Sequence, residues 1–445
     1  MSLPVYRGPF KAAQAERLLW RAGFGPKKGD PARLAKLGLT GAVHSLTRPG
    51  ASKLVGPAPH DDKGRPLAPY DAWGHDHLWW LDRMVRTTTP LVERMTLIWH
   101  DWFATSNDGV SSAKLMLDQN KMFRANALGS FSDLLVKVTK DPAMLIWLSG
   151  LDSSAEAPNE NYGRELMELF TLGADRAGGY TEQDVRDQAR ALTGWRADWS
   201  DTSGGFVNFR FDTRRHDKTT KSIFGKKGAY DWQDSCRLVL QHPNHPSFFV
   251  KKLWSYFVPT APDASTQAGL EKLYVDGKHA VAPVVEAILR HPAFYTSPPM
   301  VKPPVVYTAG ILRALGRGID TEDWVWLCTQ AGQLLFYPPN VAGWDDSRWL
   351  DTAKFRGRWN IANYAMMPSS LDPEKRVKVP SDPVKLYKAA IGATAVSAET
   401  RQLALAFVRR ALADAGEDWE KKAYPQMVFN ALRQLVAVSP DQQAA

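Results

Sequence analysis

The chain has 445 residues, 44% hydrophobic and 23% charged, with a net charge of +9 and two cysteines, Cys236 and Cys328. That composition belongs to a globular protein able to bury a sizeable core, and two cysteines exclude a disulfide scaffold or a cysteine-based zinc cluster. No apolar run approaches the roughly 20 residues of a membrane helix, and the N-terminus lacks the apolar core of a secretory signal, so the expectation is a soluble, cytoplasmic chain.

The 17 tryptophans are the unusual count. Indoles fill cores, but they also serve polymer-binding clefts as flat amphipathic platforms. The basic balance favours acidic partners only weakly.

Along the chain, residues 12–22 predict a short amphipathic helix stopped by Gly23 and Gly25-Pro26, and a second follows near 32–47. Residues 51–70 read as a Pro- and Gly-rich surface loop. The clearest helix begins at Thr89-Pro90, where Leu91, Met95, Ile98, Trp99 and Trp102 form one apolar stripe. His100 lies at the edge of that stripe. Residues 112–148 continue as helix, with a fresh start at Asp141-Pro142.

The stretch 158–195 predicts two helices joined by a turn at Gly178-Gly179. Glu165 falls inside the apolar arc of the first, and a carboxylate pointed at a core needs a partner. On the second, Thr181 and Asp184 have capping-box spacing. Residues 205–212 alternate like a strand and are expected to pair with Ile223-Phe224 as a small ribbon. From Arg214 to Lys227 six basic residues surround His216 and Asp217. More helices follow at 231–242, 247–258, 303–316 and 321–335, then an ordered loop from Tyr337 to Trp344. The expected fold is mainly α, a large multi-helix domain over 1–367 with one small β-hairpin near 205–225. A linker at 368–382 leads to a C-terminal helical portion, 383–445, packing on the main domain.

Glu165 and Glu168, close on one helix, are the acid/base candidates, since neighbouring carboxylates split their pKa values. His100 joins them as a catalytic candidate. Arg164, Arg190, Trp195, His216, Asn340 and Trp344 are candidates for binding substrate, the last two in the rigid P-P-N-V-A-G-W loop. The competing reading is structural: Arg164 or Arg190 pairs with the glutamates and ties two helices together. Asp184 reads as a cap. His75-Asp76-His77 would hold a metal only in an extended loop, and no H-E-x-x-H pair exists, so no metal ligand set is assigned. There is no P-loop, G-x-G-x-x-G or G-x-S-x-G, and no cofactor is assigned. The basic run carries little aromatic interleaving, which disfavours nucleic acid; a polar or anionic polymer such as a glycan is the partner expected. Two functions remain open: a hydrolase or carbohydrate-active enzyme with paired carboxylates in an aromatic cleft, or a non-catalytic binding or assembly protein.

PNENYGRELMELFTLG and GGYTEQDVRDQARALTGW, with RLLWRAGFGP, WHDWF, DPAML, HPSFFVKKLWSYFV, LFYPPNVAGWD and LVAVSPDQQ in order, resemble the bacterial domain-of-unknown-function 1800 family across nearly the whole chain. The resemblance implies a largely helical bacterial protein, an exported location for many members, and no agreed activity. Two motifs depart from it: relatives read His-Asn-His-Phe where this chain has His100-Asp101-Trp102-Phe103, and Glu-Leu-His-Thr-Leu-Gly where it has Phe170.

Overall fold

The helix Pro90–Trp102 organises the molecule. Pro90 sits at its first turn, where the missing N–H costs nothing. Thr89 precedes it without capping it; its hydroxyl turns instead to Ser52, 2.9 Å away. The helix is buried on nearly all sides. One face joins a cluster with Trp99, Trp102, Phe103, Phe131 and Phe249. Leu97 faces a second cluster with Trp80, Trp324, Phe336 and Ile361. Such all-round burial forces its charges to find partners. Glu93, wholly buried, accepts from Arg124 at 2.6 and 2.9 Å, Arg83 at 3.4 Å and the Trp80 indole at 3.3 Å.

The computed structural model describes residues 3–174, 179–366, 379–391, 394, 396–414 and 419–445. The protein is mainly helical. Residues 112–148 form three helices, Ala113–Ala125, Phe131–Thr139 and Pro142–Trp147, the last starting at Asp141-Pro142 as expected, with Ser112, Ser130 and Asp141 capping their starts. Helices at His75–Arg86 and Ala264–Asp276 were not anticipated from the pattern. The first makes His75-Asp76-His77 helical. His75 Nε2 meets Glu322 at 2.5 Å, and His77 Nδ1 accepts the Leu335 N–H, so the triplet does not converge on a metal. Among the described residues no group of three or more candidate ligands could hold one.

The β structure is two hairpins. β1 (Trp195–Ser200) pairs antiparallel with β2 (Gly205–Phe211), and β3 (Lys221–Ile223) with β4 (Lys226–Gly228). The expected pairing of 205–212 with Ile223-Phe224 is therefore corrected: the partner of β2 is the segment directly before it, joined by a short turn. Trp195 starts that strand instead of ending a helix.

The linker expected at 368–382 falls mostly outside the described residues. Beyond it, Pro383–Ile391, Ala398–Ala413 and Trp419–Ala437 share an apolar cluster around Leu386, Val408 and Leu432. The last residues return to the main body, where Met300 and Ala445 exchange backbone hydrogen bonds of 2.8 and 2.9 Å.

Candidate binding cleft and the Arg164 network

The first half of the 158–195 stretch begins as an α-helix, Glu160–Glu165, and widens into a π-helical turn, Leu166–Thr171. Leu172 N–H reaches back five residues to Met167 C=O at 2.8 Å. The wider turn changes the angular step, so the arc that seemed to enclose Glu165 does not close on it. Glu165 is half-buried. Its pKa is raised by burial and then by the neighbouring Glu168. Glu168 is held at 3.4 Å by Arg164, which also reaches Glu160 at 3.0 Å and Glu182 at 2.9 Å on the next helix. Arg164 thus ties Glu160–Glu165 to Glu182–Ala191, whose backbones approach closely enough that a Cβ at Gly163 would lie 3.1 Å from Ala189 N. The cap is closed by Asp184, which accepts the Thr181 N–H at 2.8 Å. Gly178 of the expected turn lies outside the described residues.

Arg190 does not meet either glutamate. It binds Asp187 at 2.6 Å and Asp217 at 2.7 Å, and these with buried Lys221 knit the basic segment onto the helix. Asp217 is lowered to about 2: burial acts against ionisation, but its bonds to Thr219 and Arg190 outweigh it. His216 is buried too, its Nδ1 3.0 Å from Thr193 C=O, and it shares Phe211 as a neighbour with Trp195 at 5.4 and 5.5 Å. Trp195 also packs on Trp232, with ring centres 5.2 Å apart.

The three carbonyls at the end of the π turn are satisfied from other motifs. Lys252 Nζ donates to Leu169 C=O at 2.9 Å, Trp102 Nε1 to Phe170 C=O at 3.0 Å, and His245 Nδ1 lies 3.0 Å from Thr171 C=O. Terminal helix carbonyls need such partners. Trp102 and Phe170 are therefore neighbours, joined through the Trp102 indole N–H and the Phe170 carbonyl.

Lys252 also borders a cleft of about 260 Å³. Arg94, Leu97, Ile98 and Asp101, at i, i+3, i+4 and i+7, give it one face of the Pro90–Trp102 helix. Trp344 and Trp349 line another side, and Trp20 and Lys302 a third. Asp101 anchors the loop: its Oδ1 accepts the Trp344 N–H at 2.9 Å and its Oδ2 the Tyr256 hydroxyl at 2.7 Å. The approach needs Gly343, which has φ +91° and would place a Cβ 2.3 Å from Asp101 Oδ1. Burial raises the Asp101 pKa, lowers Lys252 to about 8 against the pull of Asp101, and lowers Lys302 to about 7.

Of the residues predicted from sequence, Trp344 lines this cleft and His100 stands behind it, 5.5 Å from the Trp344 ring among Trp80 and Phe336. His100 is buried with Nε2 unpartnered, and burial holds its pKa at about 3. Asn340 is exposed and spends its side-chain oxygen on Ala342 N–H, shaping the loop. Glu165, Glu168, Arg164, Arg190, Trp195 and His216 are absent from the cleft lining. Arg94, Asp101, Lys252 and Lys302 were missed: the first three are charged positions between apolar ones on helices, which look like a solvated face, and Lys302 lies in the segment before Pro304–Leu315. The one available indication was that Arg94 and Asp101 share a helical face seven residues apart.

Fold and site together define a mainly helical protein with a loop-walled, cation-lined cleft. The chain belongs to the family described as "Protein of unknown function (DUF1800)", which matches residues 17–444. Comparison with curated proteins and with solved structures gives no match.

Proposed function

We propose that the chain is a ligand-binding protein whose site is the cleft walled by the P-P-N-V-A-G-W loop, and that the Arg164 network is structural. The observation that carries this is the placement of Trp344: its backbone is pinned to Asp101, and its side chain lines a cleft shared with Trp20 and Trp349. Indoles beside a few fixed polar groups suit a sugar-like ligand: Lys302 covers the Trp20 ring, which leaves Trp344 and Trp349 for stacking, and the polar atoms set orientation. A glycan or a fragment of one is the ligand class this reading favours.

The hydrolytic reading keeps one specific group. Glu165 has a raised pKa and no ion-pair or hydrogen-bond partner among the described residues, as a general acid requires. Its companion Glu168 is engaged by Arg164, and a glycosidase places its two carboxyls several ångströms apart across the bond it breaks.

The experiment is glycan-array binding by wild type, Trp344→Ala and Glu165→Gln, with product analysis on every glycan bound. The binding reading expects Trp344→Ala to lose signal and Glu165→Gln to keep it, with no product formed. Glycan cleavage abolished by Glu165→Gln would overturn it in favour of hydrolysis.

A further inference from the structure

Arg94 is 93% buried by its 7% residual exposure, and its Nε and Nη1 have no hydrogen-bond partner. Its nearest carboxylate, Asp101, already accepts from Trp344 and Tyr256 and forms no ion pair with it within 4.0 Å among the described residues. Two ammonium groups stand in the same lining. Lys252 donates to one carbonyl and lies 4.7 Å from the Trp102 ring centre. Lys302, 3% exposed, donates to Gln442 C=O at 2.8 Å and lies 3.7 Å from the Trp20 ring centre. An ammonium has three N–H donors, so each retains unused capacity. Arg21, the fourth cation, differs: its donors go to Phe257, Phe294, Pro298 and Ala445 carbonyls and to Ser297, so its role is scaffolding. Against these cations the lining, among the described residues, offers two acidic side chains, Asp101 and the exposed Asp346.

Burying an unpaired guanidinium is costly, and proteins accept that cost where a counter-ion arrives. Arginine's fork suits planar and tetrahedral oxyanions alike, and a lysine beside it adds a point charge. Interleaved with the cations, Leu97, Ile98, Val306 and the indoles supply apolar and aromatic lining. The space is below the usual range for drug-sized ligands, about 300 Å³ and upward.

We propose that the cleft binds a monosaccharide-sized organic oxyanion, a carboxylate or phosphate carried on a sugar-like ring, with the charged group on Arg94 and Lys252 and the ring against Trp344 and Trp349. This rests on the cleft reading above and names its ligand class. Asp101 serves as a positioning residue that holds the loop while the cations receive the ligand.

The test is isothermal titration of the full chain at fixed ionic strength with three probes: D-glucuronate, D-glucose 6-phosphate and D-glucose. The expected result is that at least one of the two anions binds tenfold or more tightly than glucose, and their comparison separates a carboxylate site from a phosphate site. Arg94→Met should weaken the anion at least tenfold, and by a clearly larger factor than it weakens glucose, while the ligand-free melting temperature stays level or rises, since an uncompensated charge is removed. If Arg94→Met does not fold, Lys252→Gln should still weaken the anion several-fold. Glucose binding as tightly as both anions and lost in Trp344→Ala would overturn the anion proposal while leaving the sugar cleft standing. Anion binding unaffected by either cation variant would also overturn it. No binding of any probe would bring down both readings.

Discussion

Gly343→Ala is the sharpest probe of how the cleft is built. The residue has φ +91°, where an alanine pays about 1–2 kcal/mol. Its new Cβ would also fall 2.3 Å from Asp101 Oδ1 and 2.9 Å from the Asp101 carbonyl oxygen. The second of these is backbone of the central helix and cannot swing aside, so the loop must lift. Lifting breaks the Trp344 N–H bond to a carboxylate, worth about 1.5–3 kcal/mol. The expected loss is about 3–4 kcal/mol in urea unfolding followed by tryptophan fluorescence. Gly204→Ala is the matched control, because Gly204 also has positive φ, +61°, but nothing within 4 Å of its Cβ. It should cost only about 1 kcal/mol. Equal losses in the two variants would refute the argument that the loop is fastened to Asp101.

Two further outcomes follow from charges described above. Arg164→Met keeps the aliphatic stem and should cost only about 1 kcal/mol despite three ion pairs, because Arg164 is 30% exposed and its partners 21–41%, so solvent screens them; a loss above about 3 kcal/mol in chemical denaturation would show that the network behaves as a buried one. His100 has a folded pKa of about 3, set by burial, against an ordinary value of 6.5. The unfolded chain therefore takes up a proton below pH 6.5 that the folded chain refuses, and stability drains away as pH falls toward 3. His100→Phe removes this linkage, so relative to wild type it should gain about 2–3 kcal/mol between pH 7.5 and 4.5, at about 1.4 kcal/mol per pH unit; a pH-independent difference in denaturation midpoints would contradict it.

Elements with local signals were readable from the chain: the apolar stripe and Pro90 of the central helix, the Thr181–Asp184 cap, and the Tyr337–Trp344 loop. What escaped was set by contacts distant in sequence. Glu165 looked like the buried carboxylate because a regular helical step was assumed, and the π turn after it changes that step. A glutamate that is wholly buried, Glu93, sits in V-E-R-M, where nothing local distinguishes it from a solvent-facing acid; its partners Arg83 and Arg124 lie on two other helices. The β1–β2 hairpin was hidden for a related reason. Trp195 ends one apolar pattern and begins another, and only the register Trp195↔Phe211 shows which it serves. The cleft itself depends on Arg94, Lys252, Lys302 and Trp344, drawn from four separated segments.

The all-round burial of Pro90–Trp102 has a consequence for how the molecule breathes. A helix flanked by both large clusters can expose its amides to solvent only when the two part together, so those amides share the opening free energy of the main body. The β1–β2 hairpin, with Trp199 60% exposed near its turn, can open without disturbing that helix. Arg94 and Asp101 therefore ride on the part of the chain that moves least, and whatever enters beside them meets side chains already in place.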